Sequence, residues 1–219
     1  MDDERFTEPL LTKMQTGRHL VVPRTTITDW ASRSLIHVLP SIGRYAPTMP
    51  LAAIAETQVL RGLKAWGLNS REITAAARRL RKKFGPYGVI TQQLATDGVN
   101  VLRELADAGQ IKQWERVVDG QALLPEIVDD HIHFIDWAPD GFPLRLRLRS
   151  YKNAGADVIL DPRFGYGDPV FERTKTRVTD VTRLFLVGES LDFVGDEYDL
   201  TEDEVLAAIR VLSAERAVA

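Results

Sequence analysis

Two of the chain's four histidines fall in one stretch, "VDDHIHFID" at 128–136, where Asp129-Asp130-His131-Ile132-His133 has the D-x-H-x-H spacing that opens some metal-dependent hydrolase sites. Imidazole nitrogens and carboxylate oxygens are zinc ligands, so the chemistry would be hydrolysis by a metal-bound water. A hydrolase barrel of that kind needs further ligands downstream and about 250 residues. Only 86 residues follow His133 (219 − 133), and none is a histidine. Direction argues against it too. Pro125 suits a first helical turn, and Leu124, Val128, His131 and Ile135 then fall at helical spacing. That would set His131 and His133 about 200° apart. On a strand they would share a face about 6.6 Å apart, still without a third ligand. The stretch reads as a helix-to-strand connection between two modules, and neither metal nor cofactor is expected.

Other chemistries fail sooner. Gly165-Tyr166-Gly167 lacks the third glycine and the GK[ST] of a phosphate loop, and Asp168-Pro169 follows where phosphate would want donors, so a turn between strands is predicted. "GESLD" around Ser190 misses the last glycine of a nucleophile elbow, and Ser190 fits a helix cap instead. With no cysteine there is no thiolate nucleophile and no disulfide. No catalytic residue emerges, and the chain reads as a non-enzyme.

Arginine carries the remaining signals. Arg78, Arg79, Arg81, Lys82 and Lys83 close one helix, where cations complement the dipole and a solvated face is expected. "PLRLRLRS" alternates strictly, so a strand would turn Leu144, Leu146 and Leu148 inward and Arg145, Arg147 and Arg149 outward together. Three guanidinium groups on one face suit an acidic surface, a carboxylate-lined metal site on another protein included.

The elements that position these groups form three zones: 1–105, 106–156 and 157–219. In the first, "MQTGRHL" allows about two helical turns. "VPRTTITDWAS" then offers Pro23 at a first helical position, Ile27, Trp30 and Ala31 on one face, and Arg24, Thr25 and Thr28 on the other. A short helix, a tight turn and a second helix with a basic and hydroxyl outer face follow the helix-turn-helix plan. "SLIHVLPSIGRYAPTMP" has the composition of a short hairpin or wing. Helices resume at 51–66 and 70–84, the latter with Asn69 and Glu72 spaced as a capping box. The middle zone is a mixed α/β connection. The last is a three-helix unit: Val181, Leu184 and Phe185; then Leu191, Val194 and Tyr198; then Val205, Ala208, Ile209 and Leu212 behind Thr201 and Glu204. The predicted fold is mainly α with short β elements.

Charge divides along the chain. Residues 1–86 carry 14 Lys/Arg against 7 Asp/Glu, +7; the remainder carries 14 against 24, −10. A basic front makes nucleic acid a candidate partner there. The C-terminal unit is also a helix-turn-helix in outline, but its third helix opens Thr201-Glu202-Asp203-Glu204, and three carboxylates would repel a phosphate backbone. That unit is expected to contact protein. No apolar run approaches a membrane span, and the acidic start "MDDERF" is unlike a secretion signal, so a cytoplasmic location is expected.

From Asp161 onward the residues resemble a small antitoxin-associated domain first catalogued as a domain of unknown function. Asp161, Pro162, Gly167, Pro169, Val170, Thr174, Gly188, Glu189, Ser190, Glu197, Tyr198, Leu200, Thr201, Glu204 and Val205 occupy its pattern without a gap, with Glu197 where Asp is usual. Arg173-Thr174-Lys175 departs from its Gly-Thr-Arg. "VPRTTITDWAS" and "LRGLKAWGLNSREI" are similar to the MerR-like winged helix-turn-helix, and the two together resemble a long VapB-type antitoxin. The resemblance implies an antitoxin that neutralises a VapC-type PIN-domain ribonuclease and regulates its operon by binding promoter DNA. It implies DNA contacts from Arg24, Thr25, Thr28 and Arg33, with Arg44 and Tyr45 in the wing. Arg145, Arg147 and Arg149 are expected to face the toxin, and a homodimer would match a two-fold operator. A stand-alone MerR-like regulator without a toxin remains the alternative.

Overall fold

The computed structural model describes residues 3–43, 45–110 and 132–217. Its α-helices are α1 (Glu4–Thr7), α2 (Lys13–Leu20), α3 (Arg24–Ser32), α4 (Leu51–Ala65), α5 (Ser70–Phe84), α6 (Gln93–Asp107), α7 (Arg149–Ala154), α8 (Val178–Leu186), α9 (Leu191–Tyr198) and α10 (Glu202–Ala217). Local chemistry sets several of their starts. Thr12 and Gln15 form a capping box on α2, Asn69 and Glu72 one on α5, and Thr201 and Glu204 one on α10. Pro23 stands at the N-cap of α3, one residue before the predicted place.

α4 is the post around which the first core is built. Its sequence "LAAIAETQVL" is apolar on nearly every side, so the helix is buried on nearly every side. Leu51, Ile54, Leu60 and Leu63 are wholly buried, each worth about 1.5–3 kcal/mol of transfer free energy. α1, α2, α5 and β2 pack around it.

Four short antiparallel strands in the order β1 (Ile135–Trp137), β2 (Pro143–Arg147), β3 (Val158–Leu160) and β4 (Val170–Phe171) form one sheet. Leu146 pairs with Leu160, and both face the first core with Ile135. Val158 pairs with Phe171, and both face a second core with Leu148 and Tyr151. Val181, Val194, Val205 and Ala208 of α8 to α10 complete that core. One sheet face therefore serves two cores, and the β2–β3 pairing crosses the expected 156/157 boundary. The Gly165–Gly167 turn packs against the N-terminal region so closely that a Cβ on Gly167 would lie 2.4 Å from the Leu10 carbonyl oxygen.

Three local expectations are corrected. The 34–50 wing forms no strand ladder among the described residues; Leu39 N–H donates to the Thr48 carbonyl (2.8 Å) and Met49 bridges to Leu11. Pro40, Pro47 and Pro50 remove three of the amides a ladder needs. The three-arginine row is not a strand row, because β2 ends at Arg147 and Arg149 opens α7. Leu144 is only half-buried. In the departure from the family pattern, Lys175 takes φ 62° and its N–H donates to the Phe171 carbonyl (2.9 Å), closing the turn without glycine.

Candidate nucleic-acid interface

α2 and α3 form a helix-turn-helix whose turn is set by backbone proximity. α2 ends at Val21 in the left-handed conformation (φ 51°), and Val22 N–H returns to the Gly17 carbonyl (2.9 Å). A Cβ on Gly17 would stand 2.6 Å from the Val22 carbonyl oxygen, so only glycine lets the turn close this tightly. Ile27 and Trp30 anchor α3 in the core, which leaves Arg24, Thr25 and Thr28 exposed on its outer side. The Thr28 hydroxyl donates to the Arg24 carbonyl (2.9 Å), leaving its lone pairs outward.

The other DNA candidates are placed less uniformly. Arg33, the C-cap of α3, forms an exposed ion pair with Asp29 at 2.9 Å. Tyr45 and Ile42 project from the wing, 79% and 94% exposed. Arg44 lies outside the described residues.

What holds α3 and the wing in register was not legible as a motif. Arg81 turns away from the solvated cluster expected for 78–83 and donates to the carbonyls of Ser34 and Leu35, just beyond α3, and to Glu56 Oε1 at 2.9 Å. Glu56 is fully buried in α4 and also accepts from the His37 backbone N–H and approaches His37 Nδ1, both at 2.7 Å. His37 in turn lies against Tyr87, ring centroids 4.5 Å apart. Burial, reinforced by the Glu56 charge and opposed by Arg81, pushes the Tyr87 hydroxyl above its ordinary value. Two signals exist in the sequence: a lone acid inside "LAAIAETQVL", and Arg81 four residues after Ala77 on the edge of the apolar stripe. The rest of the cluster behaves as expected at Arg78 and Lys82, which are exposed, while Arg79 pairs with Glu104 at 2.8 Å.

The arginines expected to face a toxin meet the chain's own acids. Asp136 stands opposite Arg145 in the β1–β2 register and accepts from Arg145 Nε (2.5 Å) and Arg147 Nε (3.0 Å). Glu172 engages the same two arginines at 2.5 and 3.4 Å. Desolvation works to raise the Asp136 carboxyl, but the hydrogen bonds and charges of Arg147 and Arg145 outweigh it and hold it below the ordinary carboxylate value. Arg149 instead packs over the Phe134 ring at 5.2 Å.

His133 is exposed in the turn between helical Ile132 and β1, its ring 6.2 Å from that of Phe134. Asp129, Asp130 and His131 lie outside the described residues. Among the described residues, no three metal-ligating side chains converge.

Comparison with known proteins bears on the whole chain. Residues 158–210 match the family described as "Protein of unknown function (DUF433)". Over 232 residues, covering 96% of both proteins, the chain is 32% identical to "Putative antitoxin VapB45" of Mycobacterium tuberculosis (strain ATCC 25618 / H37Rv). The chain belongs to the VapB antitoxin family. A crystal structure of Rv2018 from Mycobacterium tuberculosis superposes on this VapB-family chain with a TM-score of 0.82 at 34% identity, covering 94% of this chain and 99% of that one. The mainly helical architecture with its small sheet is thus shared along nearly the full length. No helix among the described residues is long and apolar enough to cross a membrane.

Proposed function

We propose that this chain is a non-enzymatic, cytoplasmic, homodimeric antitoxin. It binds promoter DNA through α3 and the wing and neutralises a VapC-type PIN-domain ribonuclease through its C-terminal half. The observation that carries the DNA assignment is the split of α3: Ile27 and Trp30 are buried while Arg24, Thr25 and Thr28 are presented outward. Guanidinium and hydroxyl groups in that position contact phosphates and base edges. Arg33 and Tyr45 are proposed to extend that surface, with Arg44 a further proposed DNA contact. Arg145, Arg147 and Arg149 are proposed toxin contacts, and a toxin carboxylate reaching Arg147 competes with Asp136 and Glu172.

The test has two arms. DNA from upstream of the chain's own gene, titrated by fluorescence anisotropy at several salt concentrations, should bind with an affinity that falls steeply as salt rises. A flat salt response removes the phosphate-contact assignment. The product of the adjacent gene, co-expressed, should co-purify with this chain and lose ribonuclease activity. DNA binding without any such partner favours the stand-alone regulator, a reading supported by the internal neutralisation of Arg145 and Arg147.

A further inference from the structure

The apolar stripe of α8 is Val181, Leu184 and Phe185, and it is spent on the second core. Leu186 and Val187 run past it to the end of the helix, and Phe193 points away from the neighbouring buried Val194. These three large apolar side chains, 52%, 72% and 48% exposed, ride on one knuckle between α8 and α9. Gly188 reverses the chain at φ 108°, and Ser190 caps α9 by accepting from Phe193 N–H at 3.2 Å. Exposed apolar side chains gathered on one projection and rimmed by polar residues are the kind of feature that marks an association surface.

Charge selects the occupant. From Leu184 to Ile209 there is no Lys, Arg or His, while Glu189, Asp192, Asp196, Glu197, Glu202 and Asp203 are all exposed. No ion pair among the described residues engages these six; Asp199 and Glu204 are the two that Arg173 neutralises. Nucleic acid and anionic lipid surfaces are repelled by such a rim. A second copy meeting this face isologously would set the same carboxylates against one another. A protein with an apolar hollow collared by Lys and Arg satisfies both features.

We propose that the α8–α9 knuckle docks such a basic-collared partner. Resting on the antitoxin reading, that partner is the toxin itself, which is gripped by Leu186, Val187 and Phe193 and steered by the surrounding carboxylates.

The experiment uses the full chain and the adjacent gene's product, with dissociation constants measured for wild type, V187D/F193D, D192K/D196K and R147A/R149A, each checked for an unchanged melting curve. The apolar pair should weaken binding about 30-fold or more. The charge reversal should weaken it about 10-fold and flatten its salt dependence. R147A/R149A should change it less than either. Undiminished binding by V187D/F193D, or loss confined to R147A/R149A, overturns the knuckle while leaving the antitoxin reading in place. Conversion of a wild-type dimer into a monomer by V187D/F193D assigns the face to a second copy and overturns the proposal. If wild type fails to bind the neighbour's product, the antitoxin reading falls and this inference falls with it.

Discussion

The chain builds the same turn twice and uses it for opposite surfaces. α2 ends at Val21 with φ 51° and α9 at Asp199 with φ 52°. Val22 N–H returns to the Gly17 carbonyl and Leu200 N–H to the Gly195 carbonyl, both at 2.9 Å. A Cβ on Gly17 would meet the Val22 oxygen at 2.6 Å, and one on Gly195 would meet the Leu200 oxygen at 2.9 Å. An arginine from another element braces each unit, beyond the far end of α3 in the first and at the turn itself in the second. Arg81 bonds the carbonyls after α3, and Arg173 bonds the Asp199 carbonyl and carboxylate. Yet α3 presents Arg24, Thr25 and Thr28, whereas α10 opens with Glu202, Asp203 and Glu204. Backbone geometry is therefore indifferent to the ligand. Three side chains at a helix start set the charge that the same device presents.

The sharpest way to test this pairing is through its arginines. Arg81→Ala strips a buried carboxylate of one partner and should cost about 3–5 kcal/mol in urea unfolding. Arg173→Ala breaks only exposed contacts and should leave the urea midpoint nearly unchanged. Equal losses would mean that the segment after α3 is not braced through Glu56. Next in size, Arg24→Glu should weaken binding of the upstream DNA by about 10- to 100-fold and lower its salt slope, while Glu202→Lys should leave specific binding unchanged. The reverse result would exchange the roles of the two units. Gly17→Ala should destabilise by about 1–3 kcal/mol and Gly195→Ala by less, because the second oxygen stands farther off. A thermal melt of the two variants in which Gly195→Ala is the worse breaks the parallel.

The smallest expected effect concerns pH. The Asp136 carboxyl is held below its ordinary value in the folded chain, so its contribution is present at neutral pH and is lost as pH falls through the depressed value. Asp136→Asn should flatten the acid limb of a stability-versus-pH profile and leave the limb above pH 7 unaltered. An unaltered acid limb would mean that the cluster contributes nothing measurable.

Legibility in the sequence followed the range of the interaction. The capping boxes at Asn69/Glu72 and Thr201/Glu204 span three residues, so their spacing disclosed them before any geometry was known. The outward face of α3 followed from its period, since Ile27 and Trp30 had to be buried together. The Arg81–Glu56 link joins residues 25 positions apart, and no local pattern encodes it. Alternation in "PLRLRLRS" told which way Arg145 and Arg147 point. It could not tell that Asp136, in the middle of β1, and Glu172, just after β4, were already there. Proline content announced a loop at 34–50 but did not distinguish a paired hairpin from a loop that the Leu39–Thr48 bond closes.

The sheet face that feeds two cores limits how this protein can be inherited in parts. Leu146 and Leu160 are fitted to the helices around α4, while Leu148, Val158 and Phe171, on the same short strands or just beyond them, are fitted to α8 and α10. A recombination joint at 156/157 would pair β2 from one parent with β3 from another, and each core would receive half of its floor from a stranger. Exchange between relatives is tolerated only where both ends of that face travel together. The α3-bearing and α8–α10-bearing halves are thus bound to a common lineage, although the surfaces they present differ in charge.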